Sequence, residues 1–269
     1  LGAFVGANVG GIGSLESQIG RPLAIDMHYY GWLSLFPGLQ ESSDLANRRL
    51  SVDSWDCSPS NAQVASGSQD PLIVTRAQAI KNFGHPVFVR YLWDMNLSPG
   101  TTKRSVCYDP ATDNSDGSFS GPQFVAAWQH IRTIFTQQQV TNAIWVWSIS
   151  SQGGDPRPYY PGDASVDWVS VDAYNAAGGD FASTFSGSYG AVVGYKKPVM
   201  ISETGAVSVI QPAFFTGAAA KLQSQFPAVK AILYYDGDVQ GFHWVLSGSG
   251  LTAFSNFAAD PYVAAFGTL

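Results

Sequence analysis

Charge is scarce in this chain of 269 residues: only 13% are Asp, Glu, Lys or Arg, and the formal net charge is −6 with a pI near 5.0. Nucleic acid and anionic membrane surfaces are held by a basic face, so both are disfavoured as partners, and a neutral or cationic ligand is favoured. Long apolar runs are missing as well. Gly, Pro or polar residues interrupt every stretch before the ~18 residues that a membrane span requires. No signal peptide is recognisable, and a start at Leu1 rather than Met suggests a processed or trimmed product.

Cysteine is limited to Cys57 and Cys107. A single pair so far apart has no zinc-site spacing, which leaves one disulfide or two free thiols. Both residues fall in Ser/Pro/Asp-rich loops expected after the third and fourth strands, neighbours on one face. A bridge is therefore favoured, and with it an oxidising compartment and a secreted protein. Catalytic signatures are lacking too. The stretch GANVGGIG, Gly6 to Gly13, does not have the G-x-G-x-x-G order of a dinucleotide site, and no Walker motif occurs. Without a G-x-S-x-G elbow or an H-E-x-x-H pair, serine-hydrolase and zinc-protease chemistry are also disfavoured. The loop TDNSDGS, Thr112 to Ser118, faintly resembles a calcium loop, but Thr112 and Gln123 stand where its first Asp and last Glu belong, so no metal or other cofactor is expected.

What is plentiful is aromatic and small polar side chain: 16 Phe, 12 Tyr and 8 Trp allow a large core, and the rest of the surface is left to Ser, Gly, Thr, Asn and Gln. Apolar runs that read as strands recur along the chain. They lie at Leu1 to Gly6, Pro22 to His28, Leu50 to Asp56, Pro86 to Leu92, Ala143 to Ser148, Val166 to Tyr174, Pro198 to Ser202 and Val229 to Tyr235. Between them the clearest helices are Asp70 to Phe83, with Asp70 as N-cap and Gly84 as stop, Phe124 to Gln138, and Pro212 to Phe226. Eight strands at an average spacing of about 34 residues (269/8) fit a single (β/α)8 barrel over residues 1–269, with a doubly wound sheet as the alternative.

Chemistry is expected at the strand exits, because the carboxyl ends of barrel strands form the active-site mouth. PVMISETG breaks off at Ser202, Glu203 and a Thr-Gly turn; HPVFVRYLWDMN delivers Trp93, Asp94 and Asn96; and RPLAIDMHYYGW delivers His28, Tyr29 and Trp32. Alone, an acid at a strand end is as well explained by capping or ion pairing. A second such stretch changes the odds in favour of chemistry, and aromatic and imidazole groups together at a strand exit suit a sugar-binding floor.

Taken together, RPLAIDMHYYGW, PVFVRYLWDMN, WVWS, YYPGDASVDWVSVDAYN and PVMISETG resemble glycoside hydrolase family 26, over Pro22 to Tyr235. That resemblance implies a barrel with an acid/base carboxylate after strand four and a nucleophile after strand seven, here Asp94 and Glu203. It implies Tyr174 as a hydrogen-bond donor to Glu203. Arg90 would keep Glu203 charged and Asn96 would shape the site, with His28, Tyr29, Trp32, Trp93, Trp147 and Tyr235 lining sugar subsites. The expected activity is that of a monomeric, endo-acting, retaining hydrolase of β-mannan, β-xylan or β-glucan. A barrel that binds carbohydrate without cleaving it, or a hydrolase of another linkage such as arabinan, is the alternative. One departure stands out: the family has Glu where this chain has Asp94, a side chain shorter by one methylene.

Overall fold

The computed structural model describes residues 1–97, 107–239 and 241–264. Part of the polar segment between the strand expected at Pro86 to Leu92 and the helix expected at Phe124 to Gln138 therefore lies outside the described residues. Eight strands follow one another around a closed barrel: β1 (Gly2–Val5), β2 (Ile25–Tyr30), β3 (Leu50–Trp55), β4 (Val87–Tyr91), β5 (Ala143–Ser150), β6 (Trp168–Asn175), β7 (Val199–Ala206) and β8 (Val229–Asp236). Pairing is parallel between β1 and β2, β3 and β4, β4 and β5, β7 and β8, and β8 and β1. The helices between them are α1 (Ile12–Ile19), α2 (Leu39–Ala46), α3 (Asn61–Ala65), α4 (Asp70–Phe83), α5 (Gly121–Gln137), α6 (Phe181–Val192), α7 (Gln211–Phe215) and α8 (Ala218–Gln225), with α9 (Gly248–Ala259) and α10 (Pro261–Ala264) after β8. This is the (β/α)8 barrel. Its residues form two compact units, His28–Val169 and Leu1–Met27 with the chain from Ser170 onward.

In the unit His28–Val169, alternation along the strands decides which side chains meet. Arg90 on β4 donates from Nε to Ser54 Oγ at 2.9 Å and from Nη1 to Ser148 Oγ at 3.5 Å, so Ser54, Arg90 and Ser148 share one face of β3, β4 and β5. The opposite face carries Trp55, Tyr91 and Trp145 under the helices. There Tyr91 stacks on Phe124, and Trp145 meets Trp128 and Phe135 of α5 edge-on. Each buried ring of this size contributes roughly 2–3 kcal/mol. Helix α4 spans the range expected, ended by Gly84 in the left-handed region (φ 73°), but Gln69 rather than Asp70 occupies its N-cap. Asp70 instead meets His130 Nε2 of α5 at 2.6 Å and ties the two helices.

One residue of β3 is unexpected. Asp53 is completely buried beside Glu41 and Arg76, and burial, followed by the neighbouring Glu41 charge, pushes its carboxyl well above the usual range. Arg76 donates to the carbonyls of Trp32 (3.3 Å) and Phe36 (3.5 Å), and Glu41 accepts from the Tyr30 hydroxyl and the Gly38 amide. The β2–α2 loop is thereby fastened to the outside of β3.

The other unit has a core of Phe181, Phe185, Phe214, Phe215, Phe254 and Phe257, with neighbouring ring centres 4.7 to 6.4 Å apart. The single helix expected from Pro212 to Phe226 is two, because Gly217 takes φ 70° between α7 and α8. Helix α6 is Ser- and Gly-rich and carries little apolar periodicity, yet Asp180 caps it by accepting from the Ser183 amide at 2.9 Å.

Candidate active site

Strand β7 carries Glu203, but it does not stop there. It runs on through Ala206, so the expected Thr-Gly turn is strand. Ile201 pairs with Ile232 and Thr204 with Tyr234, which sets three steps on β7 against two on β8. One extra residue makes this a β-bulge, which re-aims a side chain. Two consecutive residues are then served by the same neighbouring strand: Ser202 donates to Asp172 Oδ1 at 2.5 Å, and Glu203 Oε2 accepts from the Tyr174 hydroxyl at 2.7 Å. Asp172 and Tyr174 are two apart on β6 and so face the same way. Asp172, whose partner could not be read from sequence, is thus the anchor beneath the acid. Glu203 is 6% exposed.

Rings surround this carboxylate. Tyr174 lies 4.9 Å from Trp244 and 6.1 Å from Tyr235, and Tyr235 rests 4.6 Å from Phe4. The Tyr235 phenol is pushed up to about 12 by burial and then by the negative charges of Glu203 and Asp238, so it remains protonated. Trp244 sits over Gly205, where a Cβ would come within 2.9 Å of its Cγ; only glycine admits the indole. Trp244 is not among the residues expected at the mouth from sequence, although an aromatic following strand eight was a usable signal.

In the unit His28–Val169, the exit of β4 is held in an unusual backbone. Leu92 (φ 41°) and Asp94 (φ 57°) both occupy the left-handed region, which is costly for Leu and better tolerated by Asp. Amide bonds hold them there, from Leu92 to the Trp55 carbonyl (3.0 Å) and from Asp94 to the Ser148 carbonyl (3.2 Å). Asn96 completes the brace: its Nδ2 donates to the carbonyls of Ser150 (3.1 Å) and Gly154 (3.0 Å), and its Oδ1 accepts from the Ser150 amide (2.9 Å). Its amide is fully used in pinning the Asp94 loop to β5, which makes it a strut for the acid. The guanidinium of Arg90 lies 5.1 Å from the Trp93 ring and 5.8 Å from that of Tyr29, and the two rings are 5.2 Å apart. Arg90, Tyr29 and Trp93 form one cluster beside Asp94.

Three expected sugar contacts are placed elsewhere. Trp147 alternates with Ser148, so it faces away from Arg90; it is fully buried and its Nε1 donates to the Tyr159 carbonyl at 2.9 Å. Trp32, 2% exposed, stacks on Trp55 at 4.5 Å and donates to Gln69 Oε1. Neither ring has a free face for a sugar. The imidazole of His28 is buried, with Nε2 2.7 Å from Asp44 Oδ2. Burial alone would raise the Asp44 carboxyl, but bonds from His28, Ser51 and Arg49 outweigh it and hold the group below its ordinary range.

Cys57 and Cys107 are joined as a disulfide, Cα atoms 5.8 Å apart, linking the loop after β3 to the one after β4. Asp113 accepts from the Asp109 and Ser120 amides, and Asp116 from the Ser118 amide and hydroxyl.

Residues 123–237 match the sequence model of Glycosyl hydrolase family 26. Endoglucanase H of Acetivibrio thermocellus is 26% identical over 226 residues, covering 78% of this chain and 24% of that protein, so the chain spans about a quarter of its curated relative. Among solved structures, a Bacillus subtilis mannanase (BCman) superposes with a TM-score of 0.68 at 18% identity, covering 96% of this chain and 84% of that one. A family 26 β-mannanase of Bacteroides ovatus gives 0.66 at 15% identity, with coverages of 92% and 82%. At these identities the likeness is one of fold.

Proposed function

We propose that this chain, a glycoside hydrolase of the family 26 type, is an endo-acting, retaining hydrolase of a neutral β-mannan, β-xylan or β-glucan, with Glu203 as nucleophile and Asp94 as acid/base. The observation that carries the reading is the 2.7 Å bond from Tyr174 to Glu203 on a bulged strand, within the residues matched by the family. A carboxylate that must attack carbon has to be aimed, and a phenol bonded to one of its oxygens fixes the plane in which it meets the anomeric centre.

In the first step Glu203 forms a bond to the anomeric carbon as the glycosidic C–O bond breaks, and the Asp94 carboxylic acid gives its proton to the departing oxygen. In the second, Asp94 as carboxylate takes a proton from water, whose oxygen displaces Glu203 and restores both groups. Arg90 supplies the positive charge that favours ionised carboxylate, Tyr174 orients the nucleophile, and Asn96 positions the Asp94 loop. Tyr29, Trp93 and Tyr235 offer rings to the sugar. The bridge between Cys57 and Cys107 supports secretion, since such bonds persist in oxidising compartments. Among the described residues no helix is long and apolar enough to cross a membrane.

The test is product analysis by NMR on mannan, xylan, lichenan and arabinan. On the β-linked glycans, release of internal oligosaccharides indicates endo action and new reducing ends that appear first in the β-configuration indicate retention, whereas α-products formed first overturn retention. Glu203→Gln is expected to bind polysaccharide without cleaving it. Asp94→Asn is expected to recover on substrates with good leaving groups or with azide, and equal inactivity on all of them removes Asp94 from the acid role. The shortened acid is the observation that favours a second reading, a barrel that binds carbohydrate without turnover. Retention of polysaccharide with no reducing ends released would establish it.

A further inference from the structure

After β8 the chain forms a small hairpin, β9 (Asp238–Val239) and β10 (Phe242–His243), antiparallel, with Phe242 opposite Val239 and His243 opposite Asp238. Gly241 makes the turn with φ 81°. An ion pair between His243 Nδ1 and Asp238 Oδ1 closes the open end, and Asn8 Nδ2 reaches Asp238 Oδ2 at 3.4 Å, tethering the hairpin to the turn after β1.

The base of this hairpin is rigid. Trp244 donates its amide to the Gly237 carbonyl at 3.1 Å, and its own carbonyl accepts from the Tyr234 hydroxyl (2.8 Å) and Gln211 Nε2 (3.2 Å). Two residues earlier on the same face, Phe242 stacks on the Trp244 ring with centres 5.1 Å apart and planes 20° from parallel. A continuous ladder of rings therefore leads outward from the candidate nucleophile, from Glu203 to Tyr174, then 4.9 Å to Trp244 and 5.1 Å to Phe242. Trp244 is buried within it. Phe242, the last rung, is 46% exposed.

An apolar ring left half in water, yet fixed by stacking on a buried indole, is a surface prepared for a flat apolar face. A pyranose presents such a face through its C–H groups. Asn8 and the Asp238–His243 pair alternate with Phe242 and lie on the other face of the hairpin, where they hold it in place. We propose that the β9–β10 hairpin is a sugar-binding subsite outboard of Glu203, in which Phe242 stacks on a sugar unit of the polysaccharide one or two positions from the bond that is cut. The proposal rests on the glycan reading of the site and adds to it a residue that sets how long a chain is gripped.

The test uses the Glu203→Gln protein, which leaves ligands uncut, and isothermal titration with mannohexaose, xylohexaose and a mixed-linkage glucohexaose alongside the matching trisaccharides. Adding Phe242→Ala is expected to weaken the preferred hexasaccharide by roughly 5- to 30-fold, the loss of one stacked aromatic anchor at a binding surface. The trisaccharide is expected to lose far less, and Phe242→Tyr to restore the affinity. Near-UV circular dichroism checks that the Trp244 environment survives. Equal hexasaccharide affinity with and without the Phe242 ring overturns the proposal. Sugar binding without cleavage by the unmodified protein overturns the hydrolase reading and leaves the subsite standing; no binding to any of these sugars overturns both.

Discussion

Replacing Tyr174 with Phe removes the hydroxyl and leaves the ring. The Phe ring retains the contacts 4.9 Å from Trp244 and 6.1 Å from Tyr235, so packing around the site is preserved. What is lost is the 2.7 Å bond to Glu203 Oε2. A hydrogen bond to a charged group is worth about 1.5–3 kcal/mol, and at about 1.4 kcal/mol per factor of ten this corresponds to a fall of about 10- to 150-fold in kcat/KM. On the proposal that Glu203 is the nucleophile, the loss falls on the step in which it bonds to carbon, because a carboxylate without this donor is less well aimed at the anomeric centre. The assay is steady-state kinetics on an aryl oligosaccharide of the preferred sugar, with thermal unfolding measured in parallel. A kcat/KM within twofold of the parent at unchanged Tm would show that the phenol does not direct the nucleophile.

Three further outcomes are expected. Asp53→Asn should stabilise the protein above the ordinary Asp range: the folded state holds the Asp53 proton to higher pH than the unfolded chain does, so the parent loses stability as pH rises through that window and the amide does not. Thermal unfolding at pH 4, 6 and 8 should show the variant's advantage widening with pH, at about 2–4 °C per kcal/mol for a domain of this size, and a constant gap would refute it. Gly205→Ala places a Cβ 2.9 Å from Trp244 Cγ, so an overpacking cost of about 1–3 kcal/mol and an altered tryptophan fluorescence are expected, whereas an unchanged spectrum would contradict the close approach. Asp94→Glu extends the acid by about 1.5 Å, and a misplacement of that order costs roughly a hundredfold. If the backbone already compensates for the short side chain, kcat should drop; a rise would identify Asp94 as an impaired acid.

The barrel was legible because eight apolar runs alternate with segments of helical period, a pattern that survives errors at each boundary. Where the reading failed, the missing information was three-dimensional. Trp32 and Trp147 look like mouth residues because each adjoins polar strand-end positions, but barrel strands are covered on both faces, and the face is decided by alternation from a fixed partner. For Trp147 that partner is Ser148, whose hydroxyl belongs to Arg90. Glu203 was placed at a strand end by its neighbours Thr204 and Gly205, whereas the bulge exists only in the pairing of β7 with β8. Sequence can offer a Gly in a strand as a hint of such irregularity; it cannot say which residue the irregularity turns.

The same logic bears on the acid of β4. An Asp in the place of a Glu reads, on the sequence, as a defect in reach, because reach is counted there only in side-chain atoms. In the fold, reach is set also by where the backbone points, and the exit of β4 departs from strand geometry at both Leu92 and Asp94. Positive φ at a leucine is expensive, of the order of 1–3 kcal/mol, and persists only where the surroundings enforce it. Here the Trp55 and Ser148 carbonyls and the threefold-bonded Asn96 amide enforce it. Strain held by that many bonds is a feature of the loop that carries Asp94, and aspartate is among the few side-chain-bearing residues that accept the left-handed region readily. A shorter acid and an unusual backbone thus occur at the same position, and each makes the other intelligible: the left-handed conformation favours Asp, and the redirected chain changes the reach that side-chain length alone would give.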